Sequence, residues 1–180
     1  MVTIGYGSRE SRFISASPLD AEPIIHMPEG FAMGQRIDYN KTSPNALQGF
    51  IATGKYLDTC IIEEKLRRLI ELRISQINGC AYCVDMHCEQ LRALEEDQQR
   101  IDCVCVWREV PFFNDRERAA LAWAESVTLV SATRVPDEIF NKVSEHFDEK
   151  ELVDLTVLIA MMNAWNRMAV SFRKPPFRRA

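Results

Sequence analysis

Residues 66–80 read Leu66-Arg67-Arg68-Leu69-Ile70-Glu71-Leu72-Arg73-Ile74-Ser75-Gln76-Ile77-Asn78-Gly79-Cys80. Leu66, Leu69, Ile70, Ile74 and Ile77 recur at spacings of three and four, the period of one face of an α-helix. Glu63, Lys65, Arg67 and Arg68 fall mainly on other faces. The pattern predicts a helix from about Thr59 to Ile77. Asn78-Gly79 then ends it by supplying the left-handed residue that a helix terminus favours. A second helix starts at once, near Cys80, and runs to about Leu94.

The punctuation on either side is also helical. Ser43-Pro44 offers an N-cap followed by proline at the first helical position, where its missing N–H costs nothing. A helix over roughly Asp97 to Trp107 stops before Pro111. Asn114 with Glu117, and Asp148 with Glu151, have the capping-box spacing in which each side chain satisfies a free backbone N–H. Pro136 opens a short helix to about Phe147. The last helix, Asp148 to about Phe172, is apolar nearly all round between Leu152 and Val170, so it is central to the core or buried between subunits. None of the seven glycines lies after Gly79, which argues against a β-sandwich or barrel with its many tight turns. The fold class is all-α. Residues 1–42 hold four glycines and three prolines without a sustained apolar period, and are expected to be an irregular extension. The helical domain spans 43–174, and 175–180 form a basic tail.

The 180 residues are 47% apolar and 27% charged, with a net charge of -4. This describes one globular domain with a sizeable core. Its mild acidity gives no reason to expect nucleic acid or an anionic membrane as partner. The longest apolar stretch, Val157 to Met162, is cut by Asn163 and is far too short to span a membrane. Arg9, Glu10 and Arg12 interrupt the amino terminus, so no signal peptide is visible. A cytoplasmic protein with reduced thiols is expected, and there a close cysteine pair means redox or metal chemistry more often than stapling.

Six cysteines are present: Cys60, Cys80, Cys83, Cys88, Cys103 and Cys105. Cys80, Cys83 and His87 are spaced by three and four, hence lie along one helix face. Both cysteines fall in the first turn, where free N–H groups and the helix dipole favour an anion. That field lowers a thiol pKa, and the thiolate is the reactive form. His87 can take the proton from Cys83 or stand as imidazolium beside its thiolate. The expectation is an oxidisable dithiol, Cys83 activated and Cys80 placed to resolve it. Zinc is the competing reading, but CxxC plus His87 supplies three ligands where a structural site wants four. Cys103 and Cys105 read as core thiols.

The run Ser75-Gln76-Ile77-Asn78-Gly79-Cys80-Ala81-Tyr82-Cys83-Val84-Asp85-Met86-His87 resembles the signature of the AhpD-like branch of the carboxymuconolactone decarboxylase family. The resemblance continues through Trp107–Phe113, Glu117–Trp123 and Asn163–Arg167, covering about Arg36 to Arg173. It implies an AhpD-like bundle of about six to seven helices, assembling into homo-oligomers such as trimers or hexamers, with thiol peroxidase activity. Cys83 would then attack the hydroperoxide and become a sulfenic acid, Cys80 would condense with it, and His87 would assist proton transfer. A dithiol donor would reduce the resulting disulfide, and no cofactor is implied. The family's other activity, decarboxylation of a muconolactone-type acid, generally goes with absence of the CxxC.

Two positions depart from the pattern. Tyr82 stands where AhpD has histidine, and Arg68 stands twelve residues before Cys80, where the family commonly has a relay glutamate. Glu64 and Glu71 lie one turn either side of Arg68. Glu71 is the candidate carboxylate, with Glu125 a weaker one. Trp165, Asn163 and Asn166 read as a core tryptophan with polar partners, although they could line the pocket. Arg173, Lys174, Arg178 and Arg179 read as a solvated basic end. Gly54-Lys55 lacks the upstream glycine of a phosphate loop, and His26 and His146 stand alone.

Overall fold

The computed structural model describes residues 34–176. The part of the expected extension over 1–33, His26 and the arginines at 178 and 179 lie outside the described residues. The helices, in order, are α1 (Tyr39–Thr42), α2 (Gln48–Leu57), α3 (Glu64–Ile77), α4 (Ala81–Ala93), α5 (Gln98–Cys103), α6 (Asp115–Thr128), α7 (Val130–Thr133), α8 (Asp137–Ser144) and α9 (Glu149–Ser171). No strand occurs among the described residues. Setting aside the two four-residue turns α1 and α7, seven helices remain, in line with the six to seven expected.

α3 lies at the centre, packed against α4, α6 and α9. Leu69, Ile70, Leu72 and Ile74 on it are wholly buried, which is what its apolar stripe requires. The helix begins at Glu64 rather than near Thr59. The Arg67 guanidinium accounts for the difference, donating to the Leu57 carbonyl at 2.7 Å and pairing with Asp58 Oδ1 at 2.8 Å. It thereby seals the end of α2 and leaves residues 59–63 as a corner.

Ser43 does not cap with its side chain. Pro44–Leu47 forms a 3₁₀ turn leading into α2, and the cap appears one turn earlier, where Asp38 accepts from Asn40 N–H at 3.1 Å. The expected extension therefore overlaps ordered structure at its end. Tyr39 is buried and packs on Phe172, ring centroids 5.7 Å apart. The capping boxes of α6 and α9 form in full at Asn114/Glu117 and Asp148/Glu151. The helix expected over Asp97 to Trp107 is α5 followed by a 3₁₀ stretch, Val104–Glu109.

Two helix ends shape the site. At the end of α3, Cys80 N–H donates to the Ser75 carbonyl at 3.0 Å, with Gly79 at φ 65. At the end of α9, Lys174 N–H donates to the Ala169 carbonyl at 2.9 Å and Arg173 N–H to the Val170 carbonyl at 3.1 Å, with Arg173 at φ 52. Both are left-handed terminations in which the chain turns back to satisfy the last carbonyls. Among the described residues no helix is long and apolar enough to cross a membrane.

Candidate active site

The turn at Gly79 delivers Cys80 to the N-cap of α4, where its sulfur accepts from Cys83 N–H at 3.4 Å. Cys80 and Cys83 are joined as a disulfide, Cα atoms 5.4 Å apart, with each residue about 2% exposed. The turn is anchored from the opposite helix. Asn78 Nδ2 donates to Asn163 Oδ1 at 3.0 Å and to Asn166 Oδ1 at 2.9 Å. Asn166 Nδ2 in turn donates to Ser75 Oγ at 3.2 Å, and Asn163 Nδ2 to Thr128 Oγ1 at 3.1 Å. The two α9 asparagines thus fix the redox turn rather than line the cavity, whereas Trp165 does line it.

A cavity of about 320 Å³ opens over Cys83, bounded also by Glu71, His87, Met86, Met162 and Trp165. His87 is buried. Its Nδ1 lies 2.9 Å from Gln90 Oε1 and 3.4 Å from Glu71 Oε2, while Nε2 faces Met162 Sδ at 3.3 Å. The Gln90 and Glu71 oxygens are better acceptors than the Met162 thioether, so the ring proton belongs on Nδ1, which leaves the Nε2 lone pair beside the sulfur without a hydrogen bond to it. Burial pushes the His87 pKa below its ordinary value, against the raising influence of Glu71 and Gln90, and Arg68 adds to the lowering. The ring is therefore neutral near pH 7, suited to accepting a proton. Glu71 is itself buried and pairs with Arg68 Nη1 at 2.8 Å. Burial pulls the Arg68 pKa down, but Glu71 and Glu64 outweigh it and raise it.

The candidates named from sequence thus separate. Cys83, His87 and Glu71 meet at one cavity, with Arg68 on the same wall, and Cys80 sits behind Cys83 through the disulfide. Glu125 belongs elsewhere: its carboxylate pairs with Arg73 at 2.6 Å, accepts from Trp107 Nε1 at 2.9 Å and pairs with Arg108. Burial would raise its pKa, yet Trp107, Arg108 and Arg73 hold it below the usual carboxylate range. Cys60, Cys88 and Cys103 are half-buried and outside any disulfide, and Cys105 is exposed, so neither Cys103 nor Cys105 is the fully buried core thiol expected from sequence. Among the described residues, no group of three or more His, Cys, Asp or Glu could hold a metal ion.

Sequence reasoning missed several lining residues, among them Gln90, Met162 and Lys174. Gln90 had a local signal, its i+3 spacing from His87. Met162 gave none, since it arrives from α9. Lys174 was read as part of a solvated basic end, but is half-buried with its ammonium 4.0 Å from the Tyr82 ring centroid and 5.6 Å from that of Tyr39.

Comparison with known proteins identifies the family. The model of the carboxymuconolactone decarboxylase family matches residues 44–126. The chain is 40% identical over 139 residues to the uncharacterized protein YdfG of Bacillus subtilis, covering 77% of this chain and 95% of that one. The crystal structure of a protein of unknown function from Agrobacterium tumefaciens, for which an AhpD antioxidant-defence role has been suggested, is 40% identical with a TM-score of 0.79. It covers 81% of this chain and 100% of that one. The debrominase Bmp8 shares the fold alone, at 20% identity and a TM-score of 0.65 over 74% of this chain and 72% of that one. The chain belongs to the carboxymuconolactone decarboxylase family. Within it, the CxxC helix and the Agrobacterium likeness place it in the AhpD-like branch.

Proposed function

We propose that the protein is a cytoplasmic thiol-dependent peroxidase that reduces organic hydroperoxides through Cys83 and Cys80. The observation that carries this reading is that Cys83, bonded to Cys80, borders a cavity with a buried neutral histidine and a buried carboxylate. In the reduced protein, His87 accepts the Cys83 proton. The thiolate attacks the terminal oxygen of the hydroperoxide, the O–O bond breaks, and the departing alkoxide takes the proton back from His87 to leave as the alcohol. Cys83 is then a sulfenic acid.

Resolution needs a second thiolate, and the Cys83 N–H at the Cys80 sulfur stabilises it. Cys80 attacks the sulfenic sulfur, the disulfide forms, and the hydroxyl leaves as water. One hydroperoxide is reduced by two electrons, and an external dithiol returns two electrons and two protons. Glu71 supplies the carboxylate that the family pattern places at the Arg68 position. It acts as a positioning residue: His87 Nδ1 donates its proton to Gln90 Oε1 at 2.9 Å, and the Glu71 charge at 3.4 Å favours that orientation, so that Nε2 is the base.

The subunit also assembles with itself. Val153, Val157, Ala160, Met161, Ala164 and Met168 follow helical spacing along α9 and are not buried within the chain, an apolar stripe fitted to a second copy.

Thiol counting by mass spectrometry before and after one equivalent of an organic hydroperoxide tests the chemistry. Loss of two protons confined to the Cys80–Cys83 peptide is expected. Cys83→Ser should abolish hydroperoxide reduction, and Cys80→Ser should stop at a sulfenic acid or a mixed disulfide. Full turnover by Cys83→Ser would overturn the assignment.

A further inference from the structure

The cavity over Cys83 carries two cations of different standing. Arg68 is answered by the carboxylates of Glu71 and Glu64, at 2.8 and 3.4 Å. Lys174 is not: among the described residues it makes no ion pair, and its ammonium rests on the Tyr82 and Tyr39 rings. Lys174 is half-buried as a residue, and aromatic faces stand in for only part of an ammonium's hydration. An anion arriving in the cavity would complete its surroundings.

The way α9 ends sets where the ammonium lies. α9 ends with Arg173 in the left-handed region, φ 52, at a position usually held by glycine. A side chain in that conformation costs about 1–2 kcal/mol, and Glu95 and Arg134 end helices in the same way. The reversal turns Lys174 back against Tyr82, the residue preceding Cys83, instead of letting it run into solvent. Met86, Met162 and Trp165 give the cavity apolar lining. A volume of about 320 Å³ falls near the lower end of small-molecule sites, about 300–1,000 Å³, which suits a compact arylalkyl body over a long chain.

We propose that Lys174 is a specificity-determining residue that selects hydroperoxides bearing a carboxylate, with the peroxide directed to Cys83 and the carboxylate to the ammonium. This rests on the peroxidase reading and adds the class of substrate.

The test uses a matched pair, cumene hydroperoxide and its para-carboxylate. Each is mixed with the reduced full-length protein and the rate of Cys80–Cys83 oxidation followed. No reductant is present, because Lys174 also borders the smaller cavity beside Cys80. The carboxylated substrate should be preferred by roughly tenfold, the scale of one charge-assisted contact, and only its rate constant should fall with added salt. Lys174→Met should collapse the preference and Lys174→Arg should keep it. Equal rate constants for the two substrates in the wild type, or a ratio untouched in Lys174→Met, would overturn the proposal.

Binding of the redox-inert product 4-(2-hydroxypropan-2-yl)benzoate, measured by calorimetry, separates the two readings. If neither hydroperoxide oxidises the pair, the peroxidase reading fails. The anion site still stands if the benzoate binds the wild type roughly tenfold tighter than Lys174→Met, and falls if it does not.

Discussion

Replacing Asn166 by leucine should uncouple the redox turn from α9. Asn166 is about 1% exposed and makes two side-chain bonds across the core, accepting from Asn78 and donating to Ser75. Leucine is of similar bulk and can make neither. Two lost bonds at about 1 kcal/mol each, with one Asn78 hydrogen stranded in the interior, give roughly 2–3 kcal/mol. Asn78 keeps its bond to Asn163, and Ser75 still donates to the Glu71 carbonyl at 2.7 Å, so the figure belongs at the lower end of that range. With a urea slope of about 2 kcal/mol/M, the midpoint should fall by roughly 1 M. In the folded variant, closure of the Cys80–Cys83 disulfide after a single hydroperoxide addition should also slow, because the turn that presents Cys80 has lost an anchor. A stability change below about 0.5 kcal/mol, the size of an ordinary surface substitution, would refute the claim that the amide network holds the turn. Lost stability with unchanged closure would show that it braces the core without positioning the cysteines.

Acid should erode stability through His87. Its folded pKa is pushed below the ordinary 6.5, so below that pH the unfolded chain takes up a proton that the folded chain resists. Stability is then lost as pH falls from 6.5 toward the folded value, and urea midpoints for His87→Gln should be flatter across that window than those of the wild type. Glu125→Ala should cost roughly 2–3 kcal/mol, less than a fully buried pair because Arg108 is half exposed. Oxidation of Cys80 and Cys83 by hydroperoxide should be unchanged in that variant, measured on folded protein. Val153→Arg, at a position 62% exposed on the α9 stripe, should shift the protein to monomer in sedimentation. A wild-type protein already monomeric at the same concentration would overturn self-assembly through that face.

What could be read beforehand was whatever the chain settles within a turn or two of itself. The starts of α6 and α9 were legible because each capping box joins residues three apart. The end of α3 was legible because Asn78-Gly79 has few other uses between two amphipathic runs. Cys80, Cys83 and His87 share a face by spacing alone. The start of α3 was misplaced because a guanidinium reaching back to Leu57 and Asp58 decides it, a tertiary contact with no local mark. α1 and α7 are shorter than one apolar period, so periodicity could not show them. Glu71 was identifiable as a candidate by its nearness to Arg68, but its approach to His87 depends on how α3 and α4 fold back on each other. Met162 comes from α9 and Lys174 from just past its end, both more than seventy residues after the cysteines in the chain, and only packing brings them in. Lys174 was misread because a cluster of basic residues at a chain end is usually solvated. Its place follows from the left-handed Arg173, a conformation that residue type does not announce.

The disulfide at the head of α4 spans a sequence separation of three. A cross-link stabilises a fold largely by shrinking the ensemble of the unfolded chain, and that gain grows with the loop it closes. By the chain-entropy relation a loop this small is worth about 2 kcal/mol, against about 4.7 for a hundred-residue loop. α4 is held in place by its own hydrogen bonds, by α3 and by the Asn78 anchor, all of which stand whether or not the two sulfurs are joined. Opening the bond therefore releases little chain freedom, and the protein can pass between its two oxidation states as a chemical change within one fold.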